Sequence, residues 1–185
     1  MTTSVTHVEP ANEAREVLHY AVGKSTLGCV LVASSDKGIA AILIGDSPRV
    51  LAEELRAEFP NALLRSRSDD RLVQRVGGLI EDPSVTFDLP LDVRGTPFQQ
   101  KVWTALRNNP VGVTTTYSDL AARIGDPKAV RAVASACASN RLAVAIPCHR
   151  VLRNDGSLSG YRWGVQRKRS LIEREAASVR MRDQA

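Results

Sequence analysis

The sequence predicts an α/β fold for its first half and a mainly α fold for its second half. Three short runs rich in Val, Ile and Leu lie in the first half, whereas apolar residues at helical spacing fill the second. The chain has 185 residues, 43% hydrophobic and 24% charged, which is typical of a globular protein with one large or two small domains. It contains neither an apolar run of membrane-spanning length nor a secretory signal, so we expect a cytoplasmic protein that binds no membrane.

The first half begins with strands and continues with helices. The apolar runs cover about 17–22, 27–34 and 38–44, and the turn signals "GKS" and "SSDKG" between them predict an antiparallel meander. A helix should follow, with Ser47 as its cap, Pro48 as its first residue and its end before Pro60. A second helix is predicted over about 69–81. The proline-punctuated stretch "PSVTFDLPLDVRGTP" predicts a short strand that leads into a linker.

The charge changes sign near residue 93, where we place a domain boundary. Residues 1–93 carry 9 basic and 14 acidic side chains, whereas residues 94–185 carry 16 basic and 6 acidic ones. We therefore expect an N-terminal domain over 1–93 and a C-terminal domain over 94–185. The basic excess of the second half favours a polyanionic partner such as nucleic acid. A solvated basic face without a partner is the alternative interpretation.

The second half predicts a helix-turn-helix. "TPFQQKVWTALRNNP" predicts a helix with Thr96 as cap and Pro97 at the first position. "TTYSDLAARIG" predicts a short helix that ends at Gly125, and "DPKAVRAVASACASN" predicts another helix after a short turn. Two helices joined by a short glycine-containing turn are typical of this motif. A final helix is predicted over "VQRKRSLIEREAASVR".

The second helix of this pair has a low profile with one long basic side chain. Lys128 and Arg131 are three residues apart and would share a helix face. The small side chains of Ala129 and Ala132 would leave the backbone of that face close to whatever the helix contacts. This pattern favours insertion into a DNA groove with Arg131 protruding. Tight packing against the preceding helix is the alternative.

Among the three cysteines, Cys148 has the context of a reactive thiol. An odd, sparse set of cysteines predicts neither a disulfide framework nor a zinc site. Cys29 and Cys137 are interpreted as small buried hydrophobes. Cys148 stands between Pro147 and His149, and a thiol with a pKa of about 8.5 reacts as thiolate when a basic group assists. We expect these surroundings to make the sulfur anionic; a structural cysteine is the alternative.

A histidine that acts as a base needs an orienting carboxylate, and two glutamates in the last helix are candidates. Leu171 and Ile172 should face the core. Glu175 shares their face, whereas Glu173 points away, so we expect Glu175 to be the partner.

Five segments together resemble the O6-alkylguanine-DNA alkyltransferases, also called methylated-DNA–protein-cysteine methyltransferases. They are "IPCHRV" at 146–151, "SGYRWG" at 159–164, "RGTPFQQKVW" at 94–103, "TYSDLA" at 116–121 and "KAVRAVASACASN" at 128–140. The resemblance covers essentially the whole chain. Within the family, it is to the C-terminal half of the bacterial adaptive-response alkyltransferases. It implies an N-terminal ribonuclease-H-like α/β domain followed by a helical winged helix-turn-helix domain. It also implies DNA repair by stoichiometric alkyl transfer from O6-alkylguanine, with O4-alkylthymine as a second candidate substrate.

The resemblance assigns catalytic roles to five residues. Cys148 would accept the alkyl group, His149 would act as a water-mediated base and Glu175 would orient that histidine. Asn140 would hold the backbone between the second helix and a reactive strand. Tyr117 would crowd the phosphate of the target nucleotide and protonate the departing guanine.

Further residues are implied to contact DNA. Arg131 would replace the flipped base in the stack. The helix-turn-helix would bind the minor groove of double-stranded DNA, and a flipped nucleotide would enter a pocket. The residues implied at the groove are Lys128, Ala129 and Ala132, and those implied at the pocket are Val151, Tyr161 and Arg162. No cofactor or metal is implied, and we expect a monomer.

One position departs from the family pattern, and two other functions compete with alkyl transfer. Val113 stands in a loop where the family most often has an acidic residue. A helix-turn-helix regulator with a structural Cys148 is the main alternative. A papain-like thiol hydrolase fits less well, because that mechanism brings its Cys and His together from distant parts of the chain.

Overall fold

Three strands form the predicted meander in a computed structural model that describes residues 15–67 and 71–184. β1 (Val17–Ser25) pairs with β2 (Gly28–Ser35), and β2 pairs with β3 (Gly38–Gly45), each pair being antiparallel. β3 carries six consecutive buried residues. Since side chains alternate between the faces of a strand, both faces of β3 are covered.

A fourth strand, which the sequence does not predict, completes the sheet. β4 (Leu63–Ser66) pairs in parallel with β1 and gives the strand order β3-β2-β1-β4. Three of its four residues are exposed, so this edge strand has no apolar periodicity that a sequence pattern could reveal.

Two helices pack against the sheet. α1 (Pro48–Glu58) begins at the predicted proline and buries Leu51 and Leu55, and α2 (Arg71–Glu81) contacts β1. Ser47 is the N-cap residue of α1, as predicted, although its side chain makes no capping hydrogen bond. The fixed φ of a proline favours the first helical position without that bond. The expected start of α2 near 69 lies outside the described residues.

The predicted strand after α2 is wrong. Residues 83–96 contain one bridged residue, Leu91, which pairs with Ile39 at the start of β3. The contact consists of a hydrogen bond from the Ile39 amide to the Pro90 carbonyl and one from the Asp92 amide back to Ile39. Because a proline has no amide hydrogen, the ladder cannot extend through position 90.

The second half is mainly helical, as predicted. α3 (Pro97–Arg107) begins with a capping box in which Thr96 and Gln99 bond each other's backbone amides. α4 (Tyr117–Arg123), α5 (Val130–Ala138) and α6 (Val165–Asp183) follow. Two short parallel strands, β5 (Thr115–Thr116) and β6 (Val151–Leu152), pair with each other. Within the described ranges, no helix has both the length and the apolar character needed to cross a membrane.

The turn between α4 and α5 differs from the expectation in one respect. Gly125 lies just past α4 with φ +80°, the left-handed conformation that favours glycine at this place. Lys128 and Ala129 precede α5, and the Ala129 amide bonds the Asp126 carbonyl. The expectation that Lys128 and Arg131 share a helix face is therefore wrong, because only Arg131 is helical.

The sheet touches the segment that precedes Cys148. Ile42 in β3 bridges Leu142, with a hydrogen bond of 2.8 Å from the Ile42 amide to the Arg141 carbonyl and one of 3.0 Å from the Ala143 amide to the Ile42 carbonyl. Ile42 and Ala143 are fully buried. The first half of the chain thus anchors the backbone from which the reactive-thiol candidate projects.

Candidate active site

The segment from Asn140 to Pro147 folds around the side chain of Asn140. The Asn140 amide nitrogen donates to the Ile146 carbonyl at 2.9 Å, and its carbonyl oxygen accepts from the Leu142 amide at 2.8 Å. Between these bonds, Val144 has φ +59°, a rare conformation for a β-branched residue. A buried amide side chain with both ends bonded therefore holds a strained backbone in place.

Cys148 opens a 3-10 turn over Cys148–Arg150 and does not lie on a strand. The expected reactive strand is thus wrong, because the backbone turns immediately after Pro147. A turn frees adjacent side chains from the alternation that a strand imposes. Cys148 and His149 are consequently not forced onto opposite faces.

The thiol of Cys148 is buried and neutral at rest. Burial raises its pKa to about 11, although an amide hydrogen bond from Asn140 at 3.1 Å and the nearby charges of Lys168 and Arg162 act in the opposite direction. The expectation of an anionic sulfur is therefore wrong for the resting protein, because the loss of hydration outweighs the favourable neighbours. Any reaction at this sulfur must remove its proton.

His149 and Glu175 form a buried hydrogen-bonded pair. The imidazole Nε2 lies 2.7 Å from Glu175 Oε1, whereas Glu173 is exposed. Burial opposes ionisation of Glu175, but hydrogen bonds from His149 and Arg150 lower its pKa to about 2. Burial lowers the pKa of His149, so the ring is neutral. An ionised carboxylate only accepts, so Nε2 carries the ring proton and Nδ1 keeps a free lone pair.

Three further observations describe the surroundings of this pair. The Nδ1 atom of His149 has no hydrogen-bond partner among the residues that the structure describes. Arg150, a residue that sequence reasoning missed, binds Glu175 through Nε and Nη2 at 2.9–3.0 Å and is also buried. The Gly112 amide adds a bond of 3.1 Å to the same carboxylate. Glu175 is therefore held from three sides.

Cys148 lines a cavity of about 380 Å³. The wall is formed by the end of α5, the 160–162 segment and the start of α4, and it comprises Tyr117, Ala134, Cys137, Ala138, Cys148, Gly160, Tyr161 and Arg162. Cys137 is buried, as predicted, and also lines this space. Val151 is fully buried and is not among the lining residues, so its predicted place in the wall is wrong. Its carbonyl oxygen accepts from Lys168 at 2.5 Å and is turned toward α6.

A hydrogen-bonded chain leads from this cavity to a buried lysine. The Tyr117 hydroxyl lies 2.7 Å from Ser159 Oγ, and Lys168 Nζ donates to the same Oγ at 2.9 Å. Lys168 has no exposed surface. Sequence reasoning found Tyr117 but neither Ser159 nor Lys168, because a lysine within "QRKRS" is indistinguishable from its solvated neighbours.

Arg162 and Tyr161 occupy the 160–162 side of the cavity. Arg162 donates to Glu54 at 2.8 Å and to Glu58, both in α1, and to the Asn140 carbonyl at 3.4 Å. Tyr161 is edge-on to His149, with ring centroids 6.4 Å apart. The first half of the chain thus reaches one wall of the cavity through two carboxylates.

Arg131 is an exposed residue of α5, the helix whose end lines the cavity. Its position, three and seven residues before Ala134 and Ala138, puts it on the helix face that lines the cavity. Arg131 and Ala132 are exposed, and Arg131 forms no ion pair with any described residue. Lys128 is exposed in the preceding turn, with Ala129 half-buried beside it. In the described part of the chain, no cluster of His, Cys, Asp and Glu could hold a metal ion.

Comparison with known proteins gives consistent results. Residues 97–177 match the family model described as 6-O-methylguanine DNA methyltransferase, DNA binding domain. The Escherichia coli bifunctional transcriptional activator/DNA repair enzyme Ada is 53% identical over 162 residues, which is 86% of this chain and 46% of that protein. A Methanosarcina mazei methylated-DNA–protein-cysteine methyltransferase is 34% identical over 88% of this chain and 100% of its own length.

Solved structures agree on the fold. The Mycobacterium tuberculosis O6-methylguanine methyltransferase has a TM-score of 0.71 at 31% identity, with 87% of this chain and 94% of that chain covered. The same organism's OGT in complex with DNA has a TM-score of 0.72 at 32% identity, covering 86% and 94%. The chain spans about half the length of the Escherichia coli and Salmonella typhimurium relatives, 46% in each case.

Proposed function

This chain belongs to the methylated-DNA–protein-cysteine methyltransferase family, and we propose that it repairs DNA by moving an alkyl group from O6-alkylguanine to the sulfur of its own Cys148. The observation that carries this proposal is the Cys148 thiol on the wall of a cavity, next in the chain to a buried His149–Glu175 pair. Curated relatives named for this activity include proteins that the chain matches along most of their length.

The first step is removal of the thiol proton. The free lone pair of His149 Nδ1 takes it, with a bridging water as the link, and the imidazolium that forms is stabilised by ionised Glu175 at 2.7 Å. Asn140 donates a hydrogen bond to the sulfur, which stabilises the developing thiolate. The His149–Glu175 pair thus allows Cys148 to form the thiolate that burial disfavours in the resting protein.

The second step is an in-line displacement at carbon. The thiolate attacks the alkyl carbon, and guanine departs with the electrons of the C–O bond. Tyr117, at the cavity wall, protonates the departing base. The product is a thioether on Cys148, and because the proposed reaction includes no step that removes it, each molecule acts once.

DNA binding places the lesion in the cavity. The target atom lies inside the duplex, so the nucleotide must leave the stack. α4 and α5 form the helix-turn-helix of a winged domain that approaches the minor groove, with Lys128, Ala129 and Ala132 close to the backbone. Arg131 fills the space of the flipped base, while Tyr117 crowds its phosphate. Tyr161 and Arg162 then border the base.

The finer architecture belongs to the same proposal. Residues 1–93 form a ribonuclease-H-like α/β domain, and residues 94–185 form the DNA-binding and alkyl-acceptor domain. The separation of charge between these ranges supports the division. The protein acts as a monomer in the cytoplasm. Its three free cysteines, one of them the proposed nucleophile, support a reducing compartment.

Transfer of label tests the function. The protein is incubated with duplex DNA that carries radiolabelled O6-methylguanine, beside the variants Cys148→Ala and Cys137→Ala. Label should appear on the wild type and on Cys137→Ala, and not on Cys148→Ala. Absence of label on the wild type, or label that persists on Cys148→Ala, contradicts the proposal.

A further inference from the structure

Lys168 is a buried ammonium group to which the two transfer steps assign no role, although its charge opposes the raised pKa of Cys148. The residue has no exposed surface, and its Nζ bonds Val151 O at 2.5 Å and Ser159 Oγ at 2.9 Å. Among the described residues, no carboxylate lies within ion-pair distance of it. A charge buried without a counter-ion is costly, so such a group points to a functional requirement.

The donor and the acceptor of each hydrogen bond around Lys168 can be assigned. An ammonium only donates, so Ser159 must accept from Lys168 and can offer its own proton elsewhere. Tyr117 Oη lies 2.7 Å from Ser159 Oγ, whereas Val151 O lies 3.5 Å away and already accepts from Lys168. Ser159 therefore donates to Tyr117, which leaves the Tyr117 proton free to point into the cavity beside Cys148.

We propose that Lys168 is a positioning residue that supplies, through Ser159, the proton that Tyr117 gives to the departing guanine. This inference rests on the proposed alkyl transfer and deepens it. The chain then contains two separate proton paths. One removes a proton from Cys148 through His149, and the other delivers a proton to the leaving group.

The proton transfers balance. As the C–S bond forms and the C–O bond breaks, guanine takes the electron pair and binds the Tyr117 proton. Ser159 reprotonates Tyr117, and Lys168 reprotonates Ser159 and becomes a neutral amine. His149 has meanwhile become an imidazolium with the thiol proton. The charge of the protein and DNA together is unchanged, and solvent later exchanges protons with both groups.

The acidities along the path favour this direction. Burial lowers the pKa of Lys168 and raises that of Tyr117. The ammonium is therefore a better acid than an exposed lysine, and the phenol remains protonated while it waits. The titratable groups that face Lys168 are Cys148, Cys137 and His149, all neutral at rest.

The test compares single-turnover methyl transfer in the wild type and in Lys168→Met and Ser159→Ala. Lys168→Met keeps the length of the side chain but removes the proton, and Ser159→Ala breaks the path while Lys168 remains. Lys24→Met, at an exposed site in β1, removes the same charge elsewhere. Rates with saturating O6-methylguanine duplex are measured between about pH 6 and about pH 9.5, and DNA affinity is measured separately.

The relay predicts three results. Both path variants should transfer about 100-fold more slowly at neutral pH with unchanged DNA affinity, and Lys24→Met should match the wild type. The wild-type rate should fall at alkaline pH as Lys168 loses its proton, and Lys168→Met should lack that fall. The double variant should be no slower than the slower single variant, because both changes interrupt one path.

The contradicting outcomes are distinct. If the wild type transfers methyl groups and both variants match its rate and pH profile, the relay is wrong while the proposed function stands. If the wild type transfers no methyl group, the proposed function and the relay are both wrong. If Lys168→Met does not fold, Ser159→Ala decides alone, and a wild-type rate for that variant overturns the relay.

Discussion

At the scale of single residues, the acidity of Cys148 is set by two opposing effects. Burial keeps the thiol neutral, with a pKa of about 11, and the hydrogen bond from Asn140 acts against it. Reactivity therefore depends on a base that takes the proton during the reaction, and His149 has the free nitrogen to do so. A protected thiol of this kind resists oxidation in the resting protein, because the thiolate is the reactive form.

The substitution Glu175→Gln should destabilise the protein by about 3–5 kcal/mol and slow methyl transfer. It leaves the buried Arg150 guanidinium without its counter-ion, and it removes the charge that stabilises imidazolium. Urea unfolding at neutral pH measures the first effect. Glu173→Gln is the matched control on the same helix, exposed and expected to change stability by less than about 0.5 kcal/mol.

The pH dependence of that stability difference is a further check. The pKa of Glu175 is lowered from 4.5 to about 2 in the folded protein. Its contribution is thus fully present above about pH 4.5 and is lost as the pH falls toward 2. A difference between wild type and Glu175→Gln that stays constant down to pH 2 would show that the carboxylate is not held ionised.

Some site residues can be predicted from the sequence, and others cannot. The choice of Glu175 over Glu173 follows from the helix face shared with Leu171, and the structure places Glu175 against His149. Arg150 and Lys168 are missed, because burial of a basic side chain depends on tertiary packing and leaves no local signal. The neutral state of the thiol is missed for the same reason.

At the scale of elements, the segment between α5 and Cys148 depends on one side chain. In Asn140→Ala, the buried Leu142 amide loses its partner, whereas the Ile146 carbonyl keeps the hydrogen bond from the Cys148 amide at 2.8 Å. An unsatisfied buried group costs about 1–3 kcal/mol, so the variant should be less stable by at least about 1 kcal/mol. Thermal unfolding beside Asn154→Ala, an exposed asparagine, measures this; equal stability of the two variants would be contrary to the expectation.

α5 carries the second prediction at this scale. Arg131→Ala should slow transfer from duplex DNA more than from a single-stranded oligonucleotide, because a single strand has no stack for the arginine to enter. Stability should be unchanged, since Arg131 is exposed and forms no ion pair with a described residue. Arg49→Ala in α1 is the control for loss of one charge. Equal slowing on both substrates would remove the role assigned to Arg131.

Elements with strong local signals are predicted well. The meander follows from apolar runs separated by turns, and α3 follows from Thr96 and Pro97. β4 is missed because its residues are exposed, and the strand expected before residue 93 reduces to one bridge because Pro90 cannot donate. The start of α5 is predicted too early, and Lys128 consequently lies in the turn.

At the scale of the whole molecule, charge separates the two halves. The excess of basic residues in 94–185 predicts that phosphate contacts dominate DNA affinity. Affinity for a duplex should fall by more than about 10-fold between about 50 mM and about 200 mM salt. Titration of labelled duplexes of unrelated sequence measures this. A salt-independent affinity, or a strong preference for one sequence, would favour the regulator interpretation instead.

The most direct measurement of the central claim is the mass of the intact protein after exposure to O6-methylguanine duplex, followed by peptide mapping. Cys148 and Cys137 line the same cavity, so only the mapped position identifies the acceptor. We predict the gain of one methyl group, in place of the thiol hydrogen, on the peptide that contains Cys148. An unchanged mass, or a methyl group on Cys137 or Cys29, would contradict the account.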